Sequence, residues 1–578
     1  MPGSHRYGFD CQGGSCGIPT AGRAGYDQRI TPLKAIAHSR LSRFLQSACR
    51  PAPAATLTAA FSFAICYLRS FVFPNIPIAL WGDQVGFFND GSRMILGQLP
   101  YRDYFQIVPP ATDLIYALMI KCFGLRMWVP NLLMAGLAAI TALLMTLIAS
   151  RLVRGAIVML PAFLLTGIIL VPSMEATHHW FSTVALLSAM LVLLGGTALP
   201  HVAVAGGLCG IAACFTQTKG AVVVACLAAY LTSTHGKHTV ESKHWRQGLL
   251  LCGVAAAVFV CLNAYFIRAA GLGDWLFCIV VYPLRYYPAP AINNWQVLIY
   301  DFGGHSGITK WISLPFIYAT VPFVYVLVMV IARREWNGDQ EKQWRRLFLV
   351  MTVGIAMLLA VAPSPSVKRL ATVSPPALVL LAWLLDRPGK IASVVKLALA
   401  GAAIALAIGV SVRIQTKWHA CLDLPSGRTA FLDPPLYEEY RWLVGATRPG
   451  QYFFGLPPLY YAFHMRNPAA IEGFHPSEYT RPRQVVALIE ALESYCVPLI
   501  VIRQSRDFLA VRASPRDPLT PFRIYLTRNY QLTKTFVTGD DVWRRIEAAS
   551  PSSSTNKSAA EAESQMARHK AEMRAFDP

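Results

Sequence analysis

The chain has 578 residues, 54% hydrophobic and 14% charged, with a mean hydropathy of +0.41. A soluble domain carries about 25% charged residues, so this balance excludes a wholly soluble chain, and blocks such as 129–150 reach the ~20 residues that cross a ~30 Å hydrocarbon core. The net charge of +21 does not point to nucleic acid, because Lys and Arg gather in short loops between apolar runs, as membrane orientation requires, and not on one soluble face beside aromatics.

In chain order, residues 1–54 are polar, Gly-rich and basic, without the apolar core of a signal peptide. They read as a disordered cytoplasmic arm. Apolar runs follow at 55–78, 129–150, 156–172, 180–198, 202–217, 220–233, 247–267, 311–332, 347–363, 371–386 and 391–412. That predicts a polytopic α-helical membrane domain over 55–412 with about eleven transmembrane helices. With the N-terminus inside, the loops after every second span are cytoplasmic. Four of these five loops (RLVRG, THGKHTVESKHWRQ, RREWNGDQEKQWRR and DRPGK, but not TALPH) are rich in Lys or Arg. Loops 79–128 and 268–310, and everything after 412, then fall outside. In the first of these, periodic stretches 83–97 and 110–123 predict helices lying along the membrane interface. Segments 451–455 and 498–503 read as short buried strands and 483–494 as an amphipathic helix, which makes 413–548 a small α/β soluble domain. Residues 549–578 are low-complexity and read as disordered. Most of the 13 cysteines sit in apolar runs as small hydrophobes. Cys11 and Cys16 lack a second pair for zinc, and spacing alone leaves a Cys421–Cys496 disulfide open.

Candidate functional residues crowd the outer side. Asp83 follows the first span and Trp81, at headgroup depth, where partial desolvation makes a carboxylate a better base. The alternative is a helix cap. Asp90, seven residues on, shares its helix face. Lys219 lies between two short spans, a position tolerated where a polar cavity is lined. Lys368 and Arg369 precede the tenth span, and Arg285 lies in 282-YPLRYYP-288; each either holds phosphate or snorkels to headgroups. His178 and His179 open the fourth span and either line a cavity or anchor at the interface beside Trp180. Tyr101, Tyr282, Tyr286 and Tyr287 either stack on a sugar or form an aromatic belt.

An Asp after the first span, then 97-GQLPYRDYF-105, Pro109-Pro110 and an apolar helix ending in Gly124 resembles the GT-C glycosyltransferases. The resemblance is to the branch of protein O-mannosyltransferases and lipid A aminoarabinose transferases. It continues through 218-TKG-220, 363-PSPSVKRLATVSPPALVLLAWLL-385, 457-PPLYYAFHMRNP-468 and 529-NYQLTKTFVTGDDVWRR-545, and so spans about 55–548. It implies a GT-C-like fold and an inverting transfer of a hexose or pentose. The sugar would pass from a polyprenyl-phosphate donor to a protein, lipid or glycan hydroxyl, on the extracytoplasmic face of a bacterial inner membrane. Asp83 corresponds to the general base. Lys219, Lys368, Arg369 and Arg285 are the candidate donor-phosphate contacts, and Tyr101 and His179 further substrate contacts. Two departures stand out: Asp83 is followed by Gln84 where the family often has an acidic pair, and Gln106-Ile107-Val108-Pro109 replaces an acidic residue before Lys-Pro-Pro. Asp103 is then the remaining candidate for a supporting carboxylate. No cofactor is called for, and a divalent cation is expected only if Asp83 and Asp103 converge. The rival readings are a transporter or lipid flippase, which would show repeated halves, and a membrane scaffold.

Overall fold

The computed structural model describes residues 50–172, 175–233, 244–335, 341–503 and 517–546. The arm up to residue 49, the tail beyond 546 and their expected disorder lie outside the described residues, as do Cys11 and Cys16. Among the described residues, seven helices are long and apolar enough to cross a membrane: Pro51–Ser70, Trp128–Ala149, His178–Gly195, Trp245–Ala270, Thr309–Glu335, Glu341–Val361 and Ala392–Lys417. The chain is an integral, multi-pass membrane protein. Val367–Val373 and Pro375–Leu385 form an apolar helix pair bent by 60°, the geometry of a broken span or a re-entrant loop. Pro375 and Pro376 explain the bend, because proline lacks the N–H of the helix ladder and its ring displaces the preceding turn. Gly155–Ile169, Leu199–Phe215 and Gln217–Ser233 are apolar helices shorter than the spans above.

The first expected span needs correcting. Its helix runs Pro51–Ser70, with proline at the start, where a missing N–H is harmless. Residues 71–77 turn instead into a hairpin of β1 (Phe71–Val72) and β2 (Ile76–Pro77). Gln415, on the last long helix, donates to the carbonyls of Leu68 and Phe71 at 2.6 Å each, which satisfies the end of the first helix. Asn131 donates to Ser70 and Ile78 carbonyls at 2.5 and 3.1 Å and pins the hairpin to the second span.

Lipid tails are as apolar as leucine, so helices in a membrane associate through close packing of small residues. Gly206 and Gly210 on Leu199–Phe215 provide this. A Cβ at Gly206 would lie 2.8 Å from the Leu251 carbonyl oxygen, and one at Gly210 would lie 2.6 Å from that of Ala255. Gly210→Leu should therefore push this helix off His244–Ala270 and lower the yield of folded protein. Detergent size-exclusion and thermal scans of the purified variant check this, and an unchanged midpoint would count against the packing argument.

The expected interfacial helices are Asp83–Ile95 and Ala111–Phe123. Beyond Lys417 come β3 (Ala420–Leu424) and β4 (Gly427–Phe431), an antiparallel hairpin. A four-stranded sheet of order β5-β6-β8-β7 follows, from β5 (Phe454–Gly455), β6 (Leu499–Arg503), β7 (Tyr530–Thr535) and β8 (Asp540–Arg545), with only the β5–β6 pair parallel. Helix Pro482–Ser494 buries Val485, Leu488 and Leu492 with Ile500, Phe522 and Trp543 of this α/β region. Cys421 and Cys496 are both free.

The C-terminal region is sewn to the first loop. Phe105 N–H donates to Ala470 at 2.8 Å, Ala79 N–H to Ala430 at 2.9 Å, Met127 N–H to Ser426 at 3.1 Å, and the Arg93 guanidinium to Ala469 at 3.0 Å. Both segments therefore lie on one side of the membrane.

Candidate functional site

Where the first loop, the 282–293 loop, several helix ends and the C-terminal segment 471–484 meet, they enclose a cavity of about 740 Å³. Of the residues singled out from the sequence, Asp83, Asp90, His178, His179, Lys219, Tyr282, Tyr287 and Arg369 line it. Lys368, Arg285, Tyr101 and Asp103 do not.

One wall is cationic. The first turns of His178–Gly195 and Gln217–Ser233 both contribute to the lining, through His178, His179, Gln217, Thr218 and Lys219. Helix N-termini carry partial positive charge and free N–H groups. Lys219 is fully buried, and its ammonium donates to Thr372 Oγ1 at 2.8 Å and to the His179 carbonyl at 3.2 Å. An ammonium has three protons, so one remains for the cavity. Arg369 donates to Tyr287 Oη at 2.5 Å, Ser364 O at 3.2 Å and Asn293 Oδ1 at 3.4 Å. Neither cation pairs with a carboxylate among the described residues. A buried cation without a counter-ion costs several kcal/mol, so this wall is built for an anion.

Asp83 is the first residue of its helix. The cap reading does not describe it: the N-cap is Gly82, with no side-chain cap bond, and the Asp83 carboxylate has no hydrogen-bond partner among the described residues. Its backbone N–H donates to Glu175 Oε2 at 3.3 Å. Glu175 is ion-paired with Lys368, so Lys368 is neutralised beside Asp83 and not held in the cavity. Burial raises the Glu175 pKa, and Lys368 opposes that rise. Gly82 is required on two counts, a φ of +93° and the Glu175 carboxyl packed where a Cβ would stand.

A second group of carboxyls includes only one residue, Asp90, that the sequence had singled out. Asp90 and Asp113 are buried and Glu472 is half-buried close to them, and Asp90 and Glu472 reach the cavity. Gln106 donates to Asp90 Oδ2 at 2.8 Å, and Asn89 donates to Glu472. Gln106, a departure from the resembled pattern, thus holds a carboxyl contributed by the preceding helix. Burial raises the pKa of all three acids; mutual repulsion adds to the rise at Asp90 and Asp113, and the Arg93 guanidinium opposes it at Asp90 and Glu472.

Glu472 is pushed up from 4.5 to about 7. A carboxyl with a raised native pKa binds more protons folded than unfolded, so its stabilisation is complete below 4.5 and fades as pH rises through about 7. The melting midpoint of the purified protein should fall across that window, and Glu472→Gln should flatten the fall. A profile equally steep in the variant would remove Glu472 as its source.

The structure does not bring Asp83 and Asp103 together. Asp103 is bound by Arg102 at 2.7 Å and by the Leu99 N–H at 2.8 Å in a surface turn. The Arg102 hydrogen bond holds its pKa below the usual value. The condition for a cation between the two is not met, and no group of three His, Cys, Asp or Glu side chains suited to a metal occurs among the described residues. Tyr101 has φ +68° and is buried, donating to Val108 O at 2.6 Å within a cluster that includes Phe266 and Trp275. Arg285 is exposed over the Tyr286 ring. Sequence reasoning missed Glu175, Asp113 and Glu472. Only Glu175 carried a signal, as an acid two residues before a helix-opening histidine pair.

No family model and no curated protein matches the chain. Among solved structures it is similar to the archaeal oligosaccharyltransferase AglB from Archaeoglobus fulgidus, determined in complex with an inhibitory peptide and a dolichol-phosphate. The identity is 11%, the match covers 86% of this chain and 75% of that one, and the TM-score is 0.47. At this identity and score the likeness carries no argument about fold, activity or substrate.

Proposed function

We propose that this protein is a GT-C-like membrane glycosyltransferase with about eleven membrane crossings. It moves a sugar from a polyprenyl-phosphate carrier to an acceptor hydroxyl on the extracytoplasmic face. The observation that carries this reading is the pairing, in one cavity, of an unpartnered carboxylate at Asp83 with two cations, Lys219 and Arg369, that lack counter-ions. Asp83 takes the acceptor proton as the oxygen attacks the anomeric carbon. The bond from that carbon to the phosphate oxygen breaks, its electron pair stays on the phosphate, and the configuration inverts. Lys219, Arg369 and two helix N-termini hold the growing negative charge where surrounding apolar material strengthens each interaction. Lys368 and Glu175 orient the start of the Asp83 helix.

The test is reconstitution of the purified protein in liposomes with radiolabelled polyprenyl-phosphate sugar and a cell-envelope acceptor fraction. Label should pass to the acceptor while free polyprenyl phosphate accumulates in equal amount. Transfer from a sugar nucleotide alone, or flux of the lipid without transfer, overturns the reading.

A further inference from the structure

A second recess, of about 380 Å³, shares no lining residue with the large cavity. It forms where the β1–β2 hairpin, the start of the second span and the β3–β4 turn converge, and its polar lining is Asn75, Arg126, Ser426 and Arg428 beside the Trp128 ring. Neither arginine has an ion-pair partner among the described residues. Asp423 stands opposite Arg428 in the hairpin register, yet the two form no ion pair. Ser426 is 1% exposed and its hydroxyl has no partner.

The backbone around the recess is held firmly. Met127 N–H donates to Ser426 O at 3.1 Å, Arg126 N–H to Gly124 O at 3.0 Å, and the His464 ring meets Leu125 O at 3.1 Å. Two guanidiniums are therefore presented on a fixed frame. Guanidinium forks match phosphate oxygens in pairs. Trp128 opens a membrane span, and tryptophan at a span end sits at headgroup depth with its ring toward the acyl chains. A soluble anion would not need that ring, whereas a lipid headgroup does.

We propose that this recess binds one anionic phospholipid, with Arg126 and Arg428 on its phosphate and Trp128 against the start of its acyl chains. The bound lipid bridges the first loop and the C-terminal region, whose hydrogen-bonded seam also borders the catalytic cavity. Lipid composition would then influence how firmly the two segments close. This proposal stands apart from the glycosyltransferase reading, since neither arginine belongs to that cavity.

The experiment is native mass spectrometry of the full chain, delipidated in detergent and titrated separately with phosphatidylglycerol and with inorganic phosphate. The wild type should retain one phosphatidylglycerol, and R126Q/R428Q should retain it at least about tenfold more weakly, since each lost charge-assisted hydrogen bond is worth that order. The double variant must keep the wild-type melting midpoint. If it does not fold, R126K/R428K serves instead: lysine keeps the charge but loses the fork, and weakened retention is again expected. Equal retention by the variant, as snorkelling arginines would give, overturns the proposal. So does occupancy by inorganic phosphate with no lipid retained.

Discussion

Asp83→Asn should lower the turnover of sugar transfer by about 10²–10⁴-fold, the usual contribution of a positioned general base. Donor KM should change little, because the substituted group meets the acceptor proton and not the phosphate. Asparagine has nearly the shape of aspartate. The helix start should persist, since the N-cap is Gly82 and the bond to Glu175 comes from the residue 83 backbone. The melting midpoint should therefore stay within a degree or so of wild type, as ordinary surface substitutions do. Single-turnover assays in liposomes separate this from a binding defect. Near-normal turnover in the folded variant would assign the proton to another group, with Glu472 or Asp90 next in line by position.

Lys219→Met should likewise spare stability and lower activity. Removing one donor from a preorganised anion site typically costs about 10²–10³-fold in kcat, and here the donor also binds the ground-state phosphate, so KM should rise as well. Yet a buried cation held only by a hydroxyl and a carbonyl is a burden on the empty protein, and replacing buried charge with an apolar side chain is often neutral or stabilising. The variant should melt no lower than wild type while its kcat/KM collapses. A lower midpoint with intact kcat/KM would make Lys219 a structural residue. Arg369→Gln should follow Lys219→Met in activity but not in stability, because Arg369 also ties Tyr287 and Asn293 to the bent helix pair.

The membrane-spanning part was legible because its signals are local. Long apolar runs reveal a polytopic membrane chain, although seven helices among the described residues reach spanning length where eleven runs were expected, and the first-loop helices and the helix Pro482–Ser494 announce themselves by periodicity. The end of the first helix was misread because Ile76 and Ile78 extend its apolar run, while Pro74 and the hairpin stop the helix at Ser70. Lys219 stood out through a position that is costly in lipid unless used, and Asp83 and Arg369 through their places beside span ends and in the resembled motifs. The carboxyl group of Asp90, Asp113 and Glu472 did not, because it joins residues separated by more than 350 positions and held by the seam between the first loop and the C-terminal region. Asp103 misled for the reverse reason. Its neighbour Arg102 satisfies it locally, and a paired surface carboxylate looks the same in sequence as a free one.

A structure of the Asp83→Asn protein with a polyprenyl-phosphate sugar soaked into it tests the central claim most directly. The account predicts phosphate oxygens within hydrogen-bonding distance of Lys219 Nζ and the Arg369 guanidinium, with the anomeric carbon facing residue 83 across the cavity. A phosphate seated elsewhere, with these two cations untouched, would contradict it.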